Sequence, residues 1–224
     1  MRVNVVLSGL TASTPSGNLT IASVVLIDHP SGPVLVDSGA WHQRLALHAN
    51  LRALAVSPDD VVAVIYTHLH WDHCMNFELF RSARSIVSKA EWERAGQPNL
   101  DHATPFFVRE AMEKVARVEI AEPGEIMSGV RMLATPGHTV GHISVSIDAS
   151  QRVVVAGDAL PTRQSRETGL PHLIFGDEGD ARRSVAAILA DADIVVPGHD
   201  APFDSRNGSH ASLSLLSTSA RSPL

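Results

Sequence analysis

The sequence predicts an α/β fold, sheets covered by helices, and three observations carry that expectation. Apolar and alternating runs cluster in the first forty residues, and similar runs later interleave with stretches of helical spacing. Apolar residues make up 44% of the chain and charged residues 19%, which excludes a disordered or fibrous protein. At 224 residues, the chain is long enough to bury one substantial core without disulfide staples.

The elements follow in order. Arg2–Ser8, Leu19–Asp28 and Pro33–Asp37 read as strands, with GLTASTPSGN as a loop and DHPSGP as a turn. From Trp41 to Ala55 the leucines at 45, 51 and 54 are spaced for a helix, which Ser57-Pro58-Asp59-Asp60 closes. VVAVIY is a short, wholly apolar run, as a strand buried on both faces would be. Ser85–Ser88 reads as a strand, Lys89–Ala95 as a helix, 97–105 as a polar surface loop and Phe107–Ala116 as a helix. Strands return at Val130–Ala134, His142–Ile147 and Arg152–Ala156, and a helix over Ala181–Ala190 leads into a last buried strand, DIVVP. The expected layout is one domain over residues 1–204 and a Ser-rich tail over 205–224, in which Leu213, Leu215 and Leu216 are placed to dock as a short helix.

Charge and composition narrow the function. The formal charge of −6 disfavours polyanion binding through the global field, so a small-molecule substrate is expected ahead of a nucleic acid. The basic residues are 16 Arg and only 2 Lys. No stretch has the twenty or so apolar residues of a bilayer span. Val3, Val5 and Leu7 alternate as a first strand does, which favours a cytoplasmic chain over a secreted one. Cys74 is the only cysteine, so no intrachain disulfide forms. The composition does not specify an oligomeric state.

Twelve histidines are more than a domain of this size needs, and their positions carry the chemistry. In YTHLHWDHCMN, His68, His70, Asp72 and His73 stand just past an apolar strand. Extended backbone puts residues i and i+2 on one face, so His68, His70 and Asp72 can converge while His73 reaches a second centre. Imidazoles with a carboxylate suit zinc, and iron or manganese are also admissible. Three later places repeat an apolar strand followed by a donor beside glycine: TPGH at His138, VVVAGD at Asp158 and IVVPGH at His199. Each glycine permits a tight turn that aims the next side chain into a common cleft.

HLHWDH followed by TPGH, AGD and VPGH in this order resembles the metallo-β-lactamase superfamily, from LVDSG (Leu35–Gly39) to the APF after His199. The resemblance implies a four-layer αββα sandwich with two metals, zinc by preference, at one edge between the sheets. It implies His68, His70 and His138 at the first metal, Asp72, His73 and His199 at the second, and Asp158 bridging both. Two metals about 3.5–4 Å apart share a water and lower its pKa, which supplies hydroxide at neutral pH. Asp72 is then the catalytic residue, orienting that hydroxide and passing a proton to the leaving group. Asp37 resembles the family's supporting aspartate beneath the metal loop. His142 reads as a structural hydrogen-bond partner, Cys74 as a packing residue, and Trp71 as either cleft wall or packing; Arg163, Arg166 and His172 are placed to face substrate.

The branch of the family sets the substrate. The motif set resembles acyl-homoserine lactonases, which place a tyrosine three residues after the bridging aspartate; here that position is Pro161. The short tail does not match the helical region of glyoxalase II-type thioesterases. The compact length and the ADIVVPGHDAPF ending are similar to the stand-alone group that includes metallo-β-lactamase domain-containing protein 1. The expectation is hydrolysis of an ester, lactone or thioester. The alternatives are a metal-dependent phosphodiesterase or ribonuclease, a mononuclear iron persulfide dioxygenase-like oxidoreductase, and a non-catalytic metal binder.

Overall fold

The computed structural model describes residues 1–215 other than Ser16 and Asn99. Strand β1 (Arg2–Leu7) runs into the hairpin β2 (Leu10–Thr14) and β3 (Gly17–Ile21), then β4 (Val24–His29) and β5 (Gly32–Val36). Helix α1 (Arg44–Ala53), β6 (Ala63–Ile65), α2 (Trp71–Cys74), β7 (Arg84–Ser88), α3 (Lys89–Ala95) and α4 (Val108–Val115) follow. Next come β8 (Arg117–Ala121), β9 (Gly124–Met127), β10 (Val130–Ala134), β11 (Ile143–Asp148) and β12 (Arg152–Gly157). The last elements are α5 (Gln164–Thr168), α6 (Glu178–Asp191), β13 (Ile194–Pro197), β14 (Phe203–Asp204) and β15 (Ser214–Leu215).

Among the described residues, one sheet has seven strands in the order β15-β1-β4-β5-β6-β7-β8 and a second has six in the order β14-β13-β12-β11-β10-β9. Strand alternation builds the layers from there. Val25, Ile27, Val34 and Val36 face inward onto Val145, Val153, Val155 and Val196 of the other sheet, forming the central core. Their neighbours Val24, Leu26 and Leu35 point the other way, onto Leu47 and Leu51 of α1, Trp92 of α3 and Met112 of α4. On the far side, Val154, Ala156 and Val195 meet Val185 and Ile188 of α6. The result is the expected αββα sandwich. It explains why the strands read as nearly continuous apolar runs: both faces are buried.

Three expectations need correction. The GLTASTPSGN stretch forms the β2–β3 hairpin rather than an irregular loop. The single strand expected over Leu19–Asp28 breaks at Ala22–Ser23, where the Ser23 hydroxyl donates to the Pro197 carbonyl (2.7 Å) and its N–H donates to the Gly198 carbonyl (2.7 Å). The break therefore clamps the turn that presents His199. Leu215 lies in β15, parallel to β1, instead of in a helix; Leu216 lies outside the described residues.

Strands β8 and β9 had no counterpart in the sequence reading. They sit at sheet edges and carry Arg117, Glu119 and Glu125, so their apolar signal is diluted by solvent-facing charge.

Candidate metal centre

The donors stand where strands of both sheets end on the same side. His68 and His70 follow β6, Asp72 and His73 ride on α2, His138 follows β10, Asp158 follows β12 and His199 follows β13. At Asp158 the backbone leaves β12 through Gly157 in the left-handed region, at φ 52°. Gly198 serves differently. A side chain there would run into Asp158 Oδ1, so this glycine permits close approach of two donor loops.

The seven expected site residues come together. His68, His70 and His138 form one group, His68, His73 and Asp158 a second, and Asp72, His73 and His199 a third; within each group one donor atom per residue lies within 4.8 Å of the others. His138 Nε2 is 3.0 Å from His70 Nδ1. Asp158 lies centrally: its Oδ1 is 3.2 Å from His73 Nε2, and its Oδ2 is 3.1 Å from His199 Nε2 and 3.5 Å from His138 Nε2. Asp72 Oδ2 is 3.6 Å from His199 Nε2.

This donor set fits cations. All seven residues are buried, and His68 Nε2, His70 Nε2, His73 Nε2 and Asp158 Oδ1 have no hydrogen-bond partner among the described residues. Buried polar atoms without partners cost free energy, so several aimed at one point favour a bound ion.

The far sides of the rings are anchored, which selects the nitrogen that faces the centre. Asp37 Oδ2 lies 2.7 Å from His73 Nδ1 and accepts the Thr67 hydroxyl (2.8 Å), and Oδ1 accepts the Thr67 N–H (2.8 Å). Asp37 is held at φ 61°, a conformation uncommon for aspartate and sustained by these bonds. His138 Nδ1 lies 3.0 Å from the Leu173 carbonyl, and His199 Nδ1 lies 2.9 Å from the Ile21 carbonyl. His142 accepts the Asp158 N–H at Nε2 (3.0 Å) and pairs with the Thr135 hydroxyl at Nδ1 (2.9 Å), the structural role expected of it.

Without metal, the charges sort by surroundings. Burial disfavours charge and wins at His68 and His142, held well below the ordinary imidazole value, and at His138, pulled down to about 4. At His73 burial is outweighed by the carboxylates of Asp158, Asp37 and Asp72, so its pKa stands well above the ordinary value. His199 is raised as well, Asp158 overcoming its burial.

Two segments outside the strands approach the donors. The stretch read as a surface loop, 97–105, brings Asp101 Oδ1 to 3.2 Å from His70 Nε2. Phe175 stacks edge-on against His70 and His138, its ring centroid 5.2 and 5.5 Å from theirs. The hairpin residues Thr11 and Ser13 line a 440 Å³ cavity with Thr162, Gln164, Thr168 and His172. Trp71, 37% exposed, lines a second cavity of 440 Å³ with Trp41, Met75, Pro105 and Phe107. Arg163 and Arg166 turn elsewhere: Arg166 Nε donates to the Ser205 carbonyl (3.0 Å) and Arg163 Nη1 to the Gly208 carbonyl (3.5 Å), tying down the chain after β14. Cys74 is buried in the core beneath α1 and α3, as a packing residue is.

Residues 17–199 match the family model of the metallo-β-lactamase superfamily. The chain belongs to that superfamily. It is 36% identical to metallo-β-lactamase domain-containing protein 1 of Xenopus laevis, over 81% of this chain and 71% of that protein. It is also 26% identical to an N-acyl homoserine lactonase of Bacillus cereus, over 86% of this chain and 87% of that one. Its fold is similar to the crystal structure of a quorum-quenching N-acyl homoserine lactone lactonase, with a TM-score of 0.72 and 24% identity over 89% of this chain and 91% of that chain. Membership of this superfamily, with its His/Asp donor set in place, makes the chain a metal-dependent hydrolase. No helix among the described residues is long and apolar enough to cross a membrane.

Proposed function

We propose that this chain is a dinuclear zinc hydrolase that cleaves an ester, lactone or thioester in a small molecule. One observation carries the reading: seven buried donors, more than one tetrahedral zinc takes, form overlapping groups that share His68 and His73, with Asp158 at the centre. His68, His70 and His138 would hold one ion, Asp72, His73 and His199 the other, and Asp158 both. A pair of divalent ions supplies a water acidified to near neutral pH and an electrophile for the oxygen that gains charge.

The chain's own residues do the rest. Asp72, on the cleft side of α2, orients the attacking water and carries its proton to the leaving group. Asp37, the Leu173 carbonyl and the Ile21 carbonyl keep three imidazoles turned toward the centre. The cavity beside Trp71 offers aromatic and apolar walls to a hydrocarbon portion of the substrate, and Phe175 shields His70 and His138. The lactonase relatives support a carbonyl substrate, although Pro161 stands where those enzymes place a tyrosine. A cytoplasmic location, with a small-molecule partner rather than a nucleic acid, belongs to the same proposal.

Elemental analysis of purified protein, followed by lactone, thioester and phosphodiester substrates, tests it. Two zinc ions per chain and turnover of a carbonyl substrate are expected. One iron with oxygen uptake, or turnover of phosphodiesters alone, would overturn it.

A further inference from the structure

We propose that Arg94 is a positioning residue for the His68–His70–His138 group, acting through a largely buried ionic relay that reaches these donors more directly than the others. The inference rests on the dinuclear reading above. Arg94 lies on α3, outside the donor motifs, with its side chain 13% exposed. Its fork spans two carboxylates: Nε donates to Glu91 Oε2 (3.0 Å) and Nη2 to Glu91 Oε1, while Nη1 donates to Asp101 Oδ2 (2.6 Å). A guanidinium can do this because its donors are fixed in one plane.

Each carboxylate then reaches the same donor group. Glu91, 1% exposed, accepts the N–H of Leu69, which separates His68 from His70, at 2.9 Å. Its other oxygen accepts the hydroxyl of Thr139, next to His138, at 2.7 Å. Asp101 Oδ1, fixed by the N–H groups of Ala103 (2.9 Å) and Thr104 (3.0 Å), lies 3.2 Å from His70 Nε2. That leaves His70 Nδ1 directed at His138.

The rings on α2 and after β13 have other immediate partners, although the Trp71 N–H that opens α2 donates to the Ala103 carbonyl (3.0 Å) and the Thr67 hydroxyl on Asp37 also lies 3.0 Å from His68 Nδ1. His73 Nδ1 rests on Asp37 and His199 Nδ1 on the Ile21 carbonyl. The Arg94 relay thus bears most directly on His70 and His138, and removing Arg94 should loosen that group more than the one containing His73 and His199.

The test compares Arg94→Met, which keeps length without charge, with Arg94→Lys, which keeps charge without the fork. Zinc binding is measured by chelator competition, and cadmium-113 resonances of the cadmium-loaded protein separate the imidazole-rich centre from the carboxylate-containing one. Loss of an outer partner of this kind weakens metal binding by about 10–100-fold. In Arg94→Met one of two zinc ions should weaken by that factor, the imidazole-rich resonance should shift or broaden more than the other, and Arg94→Lys should fall between. Equal weakening of both ions, or of neither, overturns the proposal. If Arg94→Met does not fold, Asp101→Asn, which retains an acceptor for the two amides, must show the same selective loss. A wild-type protein holding one zinc would refute the dinuclear reading instead; the relay would then stand or fall on whether Arg94→Met weakens that zinc.

Discussion

Asp72 differs from the histidines around it because two tasks fall on one side chain. It is a donor beside His199 and, in the proposed reaction, the group that orients water and moves its proton. Asp72→Asn keeps the shape and one coordinating oxygen but removes the charge and the basic oxygen. Metal content should fall only partly, while kcat falls by roughly 10²–10⁴-fold. Km should change less, since the lost interaction belongs to the transition state. Steady-state kinetics and metal analysis on one sample check this; near-wild-type kcat with both metals bound would contradict the assigned role.

Between elements, the decisive contacts are backbone approaches that only glycine allows. The turn after β13 lies against the turn after β12, with the Gly198 N–H donating to the Gly157 carbonyl at 3.0 Å. A methyl at Gly198 would meet Asp158 Oδ1 and the Gly157 carbonyl group. Gly198→Ala should therefore push the loops apart, lowering stability by about 1–3 kcal/mol, the usual cost of overpacking. It should also reduce metal content, because the displaced carboxylate is the one at the centre of the site. Chemical denaturation and zinc titration would show both effects; a variant with unchanged metal affinity would mean that the approach is not needed for the site.

For the molecule as a whole, the buried histidines tie stability to pH and metal. In the metal-free protein, burial keeps His138 neutral down to about 4, with His68 and His142 well below their ordinary value of 6.5. The unfolded chain takes up protons at these rings as pH falls through 6.5, so stability falls with pH from there toward 4. His73 and His199 act in the opposite window. Their raised pKa values make a contribution that is complete below 6.5 and lost as pH climbs through the folded-state values. The chelated protein should thus be most stable near pH 6.5, and its Tm should decline on both sides. Zinc should raise Tm, by about 2.7 kcal/mol of stability per site at a hundredfold excess over Kd. It should also remove the alkaline decline, since metal takes the place of the protons. A chelated protein with a flat Tm profile from pH 4 to about 9 would refute this account.

The donor set was legible because each donor is local grammar: a histidine or aspartate placed just past an apolar strand, beside a glycine or within HLHWDH. Buried strands were legible in the wholly apolar VVAVIY and DIVVP, while the four-layer order came with the family resemblance. Asp37 and His142 apart, tertiary structure decided which groups stand behind the donors. Nothing in 97–105 marks Asp101 as more than a polar loop residue, and nothing in a seven-residue helix marks Glu91 and Arg94 as its partners. Their roles arise from chain segments brought together across dozens of residues, such as Thr139 on Glu91 and the Ile21 carbonyl on His199. Edge strands β8 and β9 escaped for a related reason: a half-exposed strand owes its place to its neighbour's hydrogen bonds, and its own side chains carry little sign of it. Sequence by itself thus pointed to sheets covered by helices and to seven residues that converge, because periodicity and strand-end chemistry are local, and the resemblance added the four-layer arrangement. Which nitrogen each ring presents, and what holds it there, depended on the packing of distant segments, because hydrogen-bond partners are chosen by proximity in space.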